Sequence, residues 1–139
     1  MSREFPRKIK RVVIKVGSSL LANHLMRPHE VSLRSLVKQI CDLRDKGIEV
    51  VLVSSGAIAL GLGELGERKR PTDTPSLQAA AAVGQALLMR LYGDLFKKRG
   101  RVCGQVLLTW DDFSSKARQH NAMNTLKVLL GRGVVPVVN

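Results

Sequence analysis

Aromatic residues and cysteines are scarce in this sequence. Phe, Trp and Tyr together make up 4% of its 139 residues, so any core must be built mainly from aliphatic side chains. The two cysteines, Cys41 and Cys103, lie in apolar periodic segments. Two isolated thiols form neither a disulfide framework nor a zinc site. We therefore expect both cysteines to be buried and reduced.

Signals for a membrane or for secretion are also missing from the sequence. No apolar run approaches the ~20 residues that a membrane helix needs. The basic segment MSREFPRKIKR leads directly into a predicted strand, without the separate apolar stretch and cleavage site of a secretory signal. The sequence therefore predicts a cytoplasmic protein with no membrane partner.

Acidic residues are few, and the chain carries 23 Lys and Arg against 11 Asp and Glu, for a net charge of +12. A charge of this size attracts nucleic acid, membrane surfaces or small polyanions such as nucleotides. The basic residues are spread along the chain, which is typical of a solvated surface. Because aromatics for base stacking are few and no nucleic-acid motif is present, we expect no nucleic-acid partner. A non-catalytic basic binding module remains an alternative.

Apolar strands alternate with amphipathic helices along the whole chain. The pattern predicts strands at 11–16, 48–54, 101–109 and 134–138, helices at 28–46, 76–99 and 121–130, and a short helix after residue 54. The strands are almost continuously apolar, so we expect a mostly parallel sheet that is covered on both faces, with 11–16 buried. In the last strand, Pro136 argues against an ordinary central strand or marks a bulge.

The helix ends and faces carry their own predictions. Pro28 suits the first turn of its helix and Gly47 the C-terminal cap. The predicted core face of this helix consists of Val31, Leu33, Leu36, Val37, Ile40 and Leu43. A charged loop at 68–74 is expected to close at Pro75. The small residues from Ala79 to Gly84 indicate close helix packing.

Several chemistry-bearing patterns are better explained by structure than by function. The GLGELG segment at 61–66 fits a dinucleotide fingerprint, but it does not follow a strand directly and lacks the later acidic residue. His24, His29 and His120 show no metal-ligand spacing, so we expect surface or loop histidines. Asp111 and Asp112 could hold Mg²⁺, but a helix cap is the better explanation for the pair.

Two short turns rich in glycine and serine, each following an apolar strand, are the strongest candidate sites. Lys15 lies near the end of the first strand and is followed by Gly17, Ser18 and Ser19. We expect Gly17 to permit a tight turn that exposes backbone N–H groups, and the lysine suits a phosphate. The alternative is a lysine whose stem packs and whose amine reaches solvent.

The second turn, Ser54-Ser55-Gly56-Ala57, follows the second strand and opens a helix. Backbone N–H groups at a helix start bind anions, and a serine hydroxyl adds a donor. The alternative is a plain N-cap by Ser54 or Ser55. Together, the two turns predict two anion pockets on one edge of one sheet.

Around these residues the sequence resembles the amino-acid kinase family, and within it the glutamate 5-kinases. The matching blocks follow one another in the family's order: VVIKVGSSL, VVLVSSGAIALG, QAAAAVGQALLMRLY, QVLLTWDD, NAMNTL and GVVPVVN. The resemblance implies a three-layer αβα sandwich and ATP-dependent phosphorylation of the γ-carboxylate of L-glutamate, with Mg²⁺. It implies that Lys15 contacts the transferring phosphoryl group, that Gly17, Ser18 and Ser19 line the ATP phosphates, and that Ser55, Gly56 and Ala57 bind glutamate.

The sequence departs from the family pattern in its extent. It ends at Asn139, directly after a strand, whereas the family continues with acidic substrate loops, a second phosphate lysine and the adenine site. Residues 1–139 are therefore expected to be the N-terminal, substrate-binding part of a single kinase domain that lacks its nucleotide-binding remainder, inactive alone and a homo-oligomer at full length. Trp110 and the segment SKARQH also differ from the pattern. A related kinase that phosphorylates acetylglutamate or a nucleotide is the closest alternative.

Overall fold

A computed structural model describes residues 8–139 of the chain. Its elements, in chain order, are β1 (Arg11–Val16), α1 (Ser18–Leu21), α2 (Glu30–Asp45), β2 (Glu49–Ser54), α3 (Ala57–Glu64), α4 (Thr74–Lys97), β3 (Cys103–Val106), α5 (Trp110–Ser114), α6 (Lys116–Gly131) and β4 (Val135–Val138). Within these residues, no helix is both long and apolar enough to cross a lipid bilayer.

The four strands form one parallel sheet in the order β1-β2-β4-β3. Because all strands run the same way, their carboxyl ends lie at one edge of the sheet and their amino ends at the other. We call these the carboxyl edge and the amino edge. The predicted parallel α/β architecture is confirmed.

One face of the sheet carries the larger core. Leu33 and Ile40 of α2, Leu60 of α3, and Leu88 of α4 are fully buried or nearly so against β1, β2 and β4. Full burial stabilises each such aliphatic side chain by about 1.5–3 kcal/mol. Cys41 lies in this core as a free thiol, as predicted, whereas Cys103 is half-buried.

The other face is covered less completely. Leu130 of α6 packs with Val51, Val106 and Val138 of the strands, giving the third layer of the αβα sandwich. This helix does not reach β1, where Val13 is 63% exposed. The prediction that residues 11–16 form a fully buried strand is therefore wrong for one of its faces.

The helices α3 and α4 cross in backbone contact. A Cβ atom on Gly84 would overlap the carbonyl oxygen of Ala57 and lie 2.6 Å from the amide nitrogen of Gly61. A Cβ atom on Gly61 would overlap the carbonyl oxygen of Ala80. The predicted close packing of the small residues in α4 is confirmed, and the glycines of the GLGELG segment have a packing role.

The ends of α2 follow the predicted chemistry with two corrections. Gly47 adopts φ +76° and its amide donates to Arg44, while the amide of Ile48 donates to Leu43, which is the Schellman arrangement. At the other end His29 is the N-cap, and its Nδ1 accepts from the amide of Ser32 at 3.3 Å. Pro28 therefore precedes the cap rather than occupying the first turn.

Val31 is a second correction in α2, because it is 69% exposed although it was predicted to face the core. It lies in the first turn of the helix, beyond the reach of the sheet. The boundaries of two later elements also differ from the predictions. Asp73 caps α4, so Pro75 lies inside the first turn of that helix. Ser115 caps α6, which therefore begins five residues earlier than predicted.

Pro136 occupies a central strand, contrary to the prediction. The amides of Val135 and Asn139 donate to carbonyls of residues 102 and 106 on the β3 side. Since alternate residues of a parallel strand face opposite neighbours, the nitrogen of Pro136 faces β2. The β2–β4 pairing begins only at Leu52 and Val137. The missing N–H of the proline therefore falls just before that ladder starts.

Candidate active site

The two predicted turns lie side by side at the carboxyl edge. The strands β1 and β2 are neighbours, and Val16 is in register with Ser54. Both turns follow directly from these paired residues. The predicted convergence of residues 17–19 and 55–57 on one edge is confirmed.

The turns also contact each other. The amide of Ser55 donates to the carbonyl oxygen of Val16 at 3.2 Å. A Cβ atom on Gly56 would lie 3.6 Å from the Cα of Ser18 and 3.3 Å from the side chain of Leu21. Gly56 also adopts φ +96°, a left-handed conformation that favours glycine. Glycine is therefore required at position 56 by both conformation and space.

Gly17 behaves differently from Gly56. Its backbone is extended, with φ −84° and ψ 167°, and a Cβ atom there would meet no heavy atom of the described structure within 4 Å. The expected tight turn that only glycine could adopt is therefore wrong at this position. The fold leaves open space beside Gly17, so a close approach by another molecule is sterically possible.

The amides that begin α1 and α3 receive no side-chain cap. Gly17 and Gly56 are the N-cap residues of these helices, and neither helix has a side-chain hydrogen bond at its start. The first N–H groups of a helix have no acceptor within the helix. Both turns therefore present unsatisfied donors at the carboxyl edge, where an anion would be stabilised.

Lys15 is exposed and lies two residues before Gly17. It is in register with Val53 of β2, whose side chain packs with the α6 layer. The lysine therefore belongs to the face of the sheet that α6 covers only in part. Its charge is not buried inside the strand, which removes the desolvation cost that the sequence suggested.

Ser54 is a buried hydrogen-bonding residue rather than the N-cap. Its hydroxyl lies 2.9 Å from the hydroxyl of Tyr92 in α4, and both residues are almost fully buried. Burial raises the pKa of Tyr92 to about 12, with the hydrogen bond to Ser54 acting in the opposite direction. The role of Tyr92 was missed from sequence, although a buried phenol needs a polar partner and the apolar spacing of Leu88, Tyr92 and Phe96 indicates burial.

A chain of amide side chains extends the polar edge past the two turns. The side chain of Asn139, after β4, donates to Gln85 of α4, and Gln85 donates in turn to Gln105 of β3 at 3.1 Å. Sequence reasoning missed all three residues. Their contact depends on the sheet order, which brings β4 and β3 beside β2.

Comparison with known proteins identifies the family. The sequence model of the Amino acid kinase family matches residues 10–139. The chain belongs to the amino-acid kinase family. It is 47% identical over 131 residues to a glutamate 5-kinase of Clostridium acetobutylicum, which covers 94% of this chain and 49% of that protein. It is 50% identical over 139 residues to one of Syntrophotalea carbinolica, covering 100% of this chain and 37% of that protein.

A third relative, glutamate 5-kinase 2 of Bacillus subtilis, is 47% identical over 134 residues, which are 94% of this chain and 35% of that protein. The chain thus spans between about a third and a half of these kinases. A solved isopentenyl phosphate kinase from T. acidophilum, in a product complex, aligns with a TM-score of 0.58 at 19% identity, covering 91% of this chain and 53% of that structure. The similarity shows that the chain shares the fold of amino-acid kinases.

The residues of this amino-acid kinase chain do not form a metal site by themselves. Among residues 8–139, no three His, Cys, Asp or Glu side chains cluster so that they could hold a metal ion. Asp112 accepts from the amide and hydroxyl of Thr109 in a capping box, as predicted, and the backbone bond chiefly lowers the pKa of Asp112. The Mg²⁺ that the family resemblance implies therefore has no ready set of ligands among the described residues.

Proposed function

We propose that this chain forms the phosphoryl-acceptor part of a glutamate 5-kinase, which transfers the γ-phosphoryl group of ATP to the γ-carboxylate of L-glutamate. The adjoining pair of uncapped turns at the carboxyl edge carries the proposal. The 47–50% identity to glutamate 5-kinases over nearly the whole chain supports glutamate over the alternative acceptors.

The chemistry needs charge neutralisation more than proton transfer. The γ-carboxylate has a pKa of about 4.3 and is ionised at neutral pH, so no general base is needed. A carboxylate oxygen attacks the γ-phosphorus, a new P–O bond forms, and the bond from that phosphorus to the β–γ bridging oxygen breaks to release ADP. Positioned N–H groups and cations lower the barrier to this meeting of two anions.

The proposed residue roles follow from the position of each turn. Ser55, Gly56 and Ala57 bind L-glutamate, because the uncapped start of α3 presents amides that suit a carboxylate. On the neighbouring strand, Gly17 and the two serines after it line the ATP phosphates beside open space.

Lys15 approaches the transferring phosphoryl group from the exposed face of β1, where its ammonium is free to reach an anion at the edge. The residues at hand do not hold Mg²⁺, so no step is assigned to it. The expectation of a homo-oligomer at full length stays a prediction.

A substrate panel tests the proposed activity. The longest protein expressed from the gene that encodes this sequence is incubated with ATP and L-glutamate, acetylglutamate or a nucleoside monophosphate, and acyl phosphate is trapped with hydroxylamine. We expect hydroxamate with L-glutamate alone. A higher kcat/KM with another acceptor would contradict the proposal.

Binding to the 139-residue chain gives a test that does not depend on turnover. Addition of L-glutamate should shift the backbone amide resonances of Ser55 and Ala57 in ¹H–¹⁵N spectra. The amides of Arg68 and Lys69, in the exposed loop between α3 and α4, serve as the internal control. Equal shifts in the loop and in the turn would argue against a glutamate site at residues 55–57.

A further inference from the structure

The amino edge of the sheet, opposite the candidate active site, concentrates positive charge. Lys10 precedes β1, Lys46 precedes β2, Arg132 precedes β4 and Arg99 precedes β3. All four residues are exposed. They are far apart in sequence, but the strand order places them in one row, which we call the basic row.

The row is compact because neighbouring loops contact one another. Nη1 of Arg44 donates to the carbonyl oxygen of Ile48, and its Nη2 lies 3.7 Å from where a Cβ atom on Gly133 would sit. Arg101 donates to Asp45 and so joins the ends of α4 and α2. With parallel strands about 4.8 Å apart, four strand starts span roughly 15 Å.

Little negative charge offsets the basic row. The two carboxylates at this edge, Asp45 and Glu49, are paired with Arg101 and Arg11. Among residues 8–139, no carboxylate lies within ion-pair distance of Lys10, Lys46 or Arg132. The cations after α2, α4 and α6 also face helix C-termini, whose partial negative charge makes their mutual proximity tolerable.

We propose that the basic row is a docking surface for the phosphodiester backbone of nucleic acid. Phosphates of one strand of a duplex are about 3.4 Å apart along its axis, so a row of roughly 15 Å faces about four of them. The exposed apolar residues nearby, Ile9 and Val102, are isolated rather than forming the apolar centre of a protein interface. High positive charge without such a centre is typical of nucleic-acid interfaces.

The proposal revises the expectation from sequence that nucleic acid is not a partner. That expectation relied on scarce aromatics and on basic residues spread along the chain. Phosphate contacts need no stacking, so the binding we propose is independent of base sequence. Because the row lies on the edge opposite to residues 17–19 and 55–57, glutamate should not compete with it.

The test compares two triple variants of the 139-residue chain that lose the same charge. One is Lys10→Gln/Lys46→Gln/Arg132→Gln. The control is Arg68→Gln/Lys69→Gln/Arg70→Gln, in the exposed loop between α3 and α4. Fluorescence anisotropy measures binding to a labelled oligonucleotide of about 20 nucleotides, single-stranded and duplex, between about 50 and 200 mM NaCl.

We expect the edge variant to bind at least about tenfold more weakly at low salt, with the slope of log K against log salt reduced by about two to three. The loop variant should lose less than about threefold, and thermal melting should show both variants folded. Equal losses in both variants, absent binding by the parent chain, or equally tight binding of poly-L-glutamate of matched charge would each overturn the proposal.

Discussion

The hydroxyl groups of Ser54 and Tyr92 lie 2.9 Å apart beneath the turn that begins α3. This bond joins the last residue of β2 to α4, and both partners are shielded from water. Removing one partner leaves the other hydroxyl poorly satisfied, so Ser54→Ala and Tyr92→Phe should each lower the free energy of unfolding by about 1–2 kcal/mol.

The double variant should cost less than the sum of the single changes, with a coupling of about 1 kcal/mol in urea unfolding. Tyr92→Phe keeps the ring that packs 6.4 Å from that of Phe96, so the cycle reports on the hydroxyl alone. Strictly additive effects would show that the two hydroxyls do not interact.

Alkaline pH should destabilise the chain through Tyr92. Its folded pKa is raised to about 12 by burial, while the unfolded phenol ionises near pH 10. Above pH 10 the unfolded chain therefore binds fewer protons than the folded one, and stability falls as pH rises towards 12, by up to about 2–3 kcal/mol. Tyr92→Phe should remove this part of the pH dependence. Identical unfolding profiles of parent and variant from pH 9 to 12 would contradict it.

The glycine contact between α3 and α4 should be intolerant of a single methyl group. Gly84→Ala places a Cβ atom against backbone atoms of Ala57 and Gly61, neither of which can rotate away. We expect a loss of about 3 kcal/mol or more in unfolding free energy. Gly93→Ala, in the same helix but with no heavy atom within 4 Å, should gain up to about 1 kcal/mol from helix propensity. Comparable stabilities for the two variants would disprove the tight crossing.

Gly17 and Gly56 should separate function from folding. Gly56→Ala meets Leu21 and an unfavourable φ, so it should lower stability by about 1 kcal/mol or more. Gly17→Ala has space in the fold and should leave stability nearly unchanged. In the full-length kinase it should nevertheless raise KM for ATP, because the methyl group occupies the space proposed for phosphate. Normal ATP kinetics in Gly17→Ala would remove residue 17 from the proposed phosphate site.

Lys15 should matter for catalysis and not for stability. Because it is exposed, Lys15→Ala should change the unfolding free energy by less than about 0.5 kcal/mol. Loss of a cation from the transferring phosphoryl group should lower kcat by about 10²–10³-fold. Lys127→Ala, another exposed lysine on α6, is the matched control. An unchanged kcat in Lys15→Ala would show that this lysine does not contact the phosphoryl group.

Local features of the sequence predicted local structure well. The apolar run at 11–16 gave the bounds of β1, and Gly47 marked the end of α2 through its positive φ. Errors occurred where a residue's environment is set by distant parts of the chain. Val13 is β-branched and apolar, yet it is exposed because α6 does not extend over β1.

The same limit applied to the candidate site. Both turns were found from the sequence because a strand, a glycine and a serine are adjacent along the chain. The bond between Ser54 and Tyr92, and the link from Asn139 through Gln85, each join residues more than thirty positions apart. The basic row was hidden for the same reason, since only the order β1-β2-β4-β3 places Lys46 beside Arg132.

The crossing of Gly61 and Gly84 has a consequence for how the site could work. With backbone against backbone, α3 has no compressible side chains through which to slide or tilt on α4. The amides at its first turn are therefore preorganised, and they keep their direction before and after a carboxylate arrives. Any closure around two anionic substrates must then come from other segments, and the uncrowded turn at Gly17 is the part of this edge with space to move.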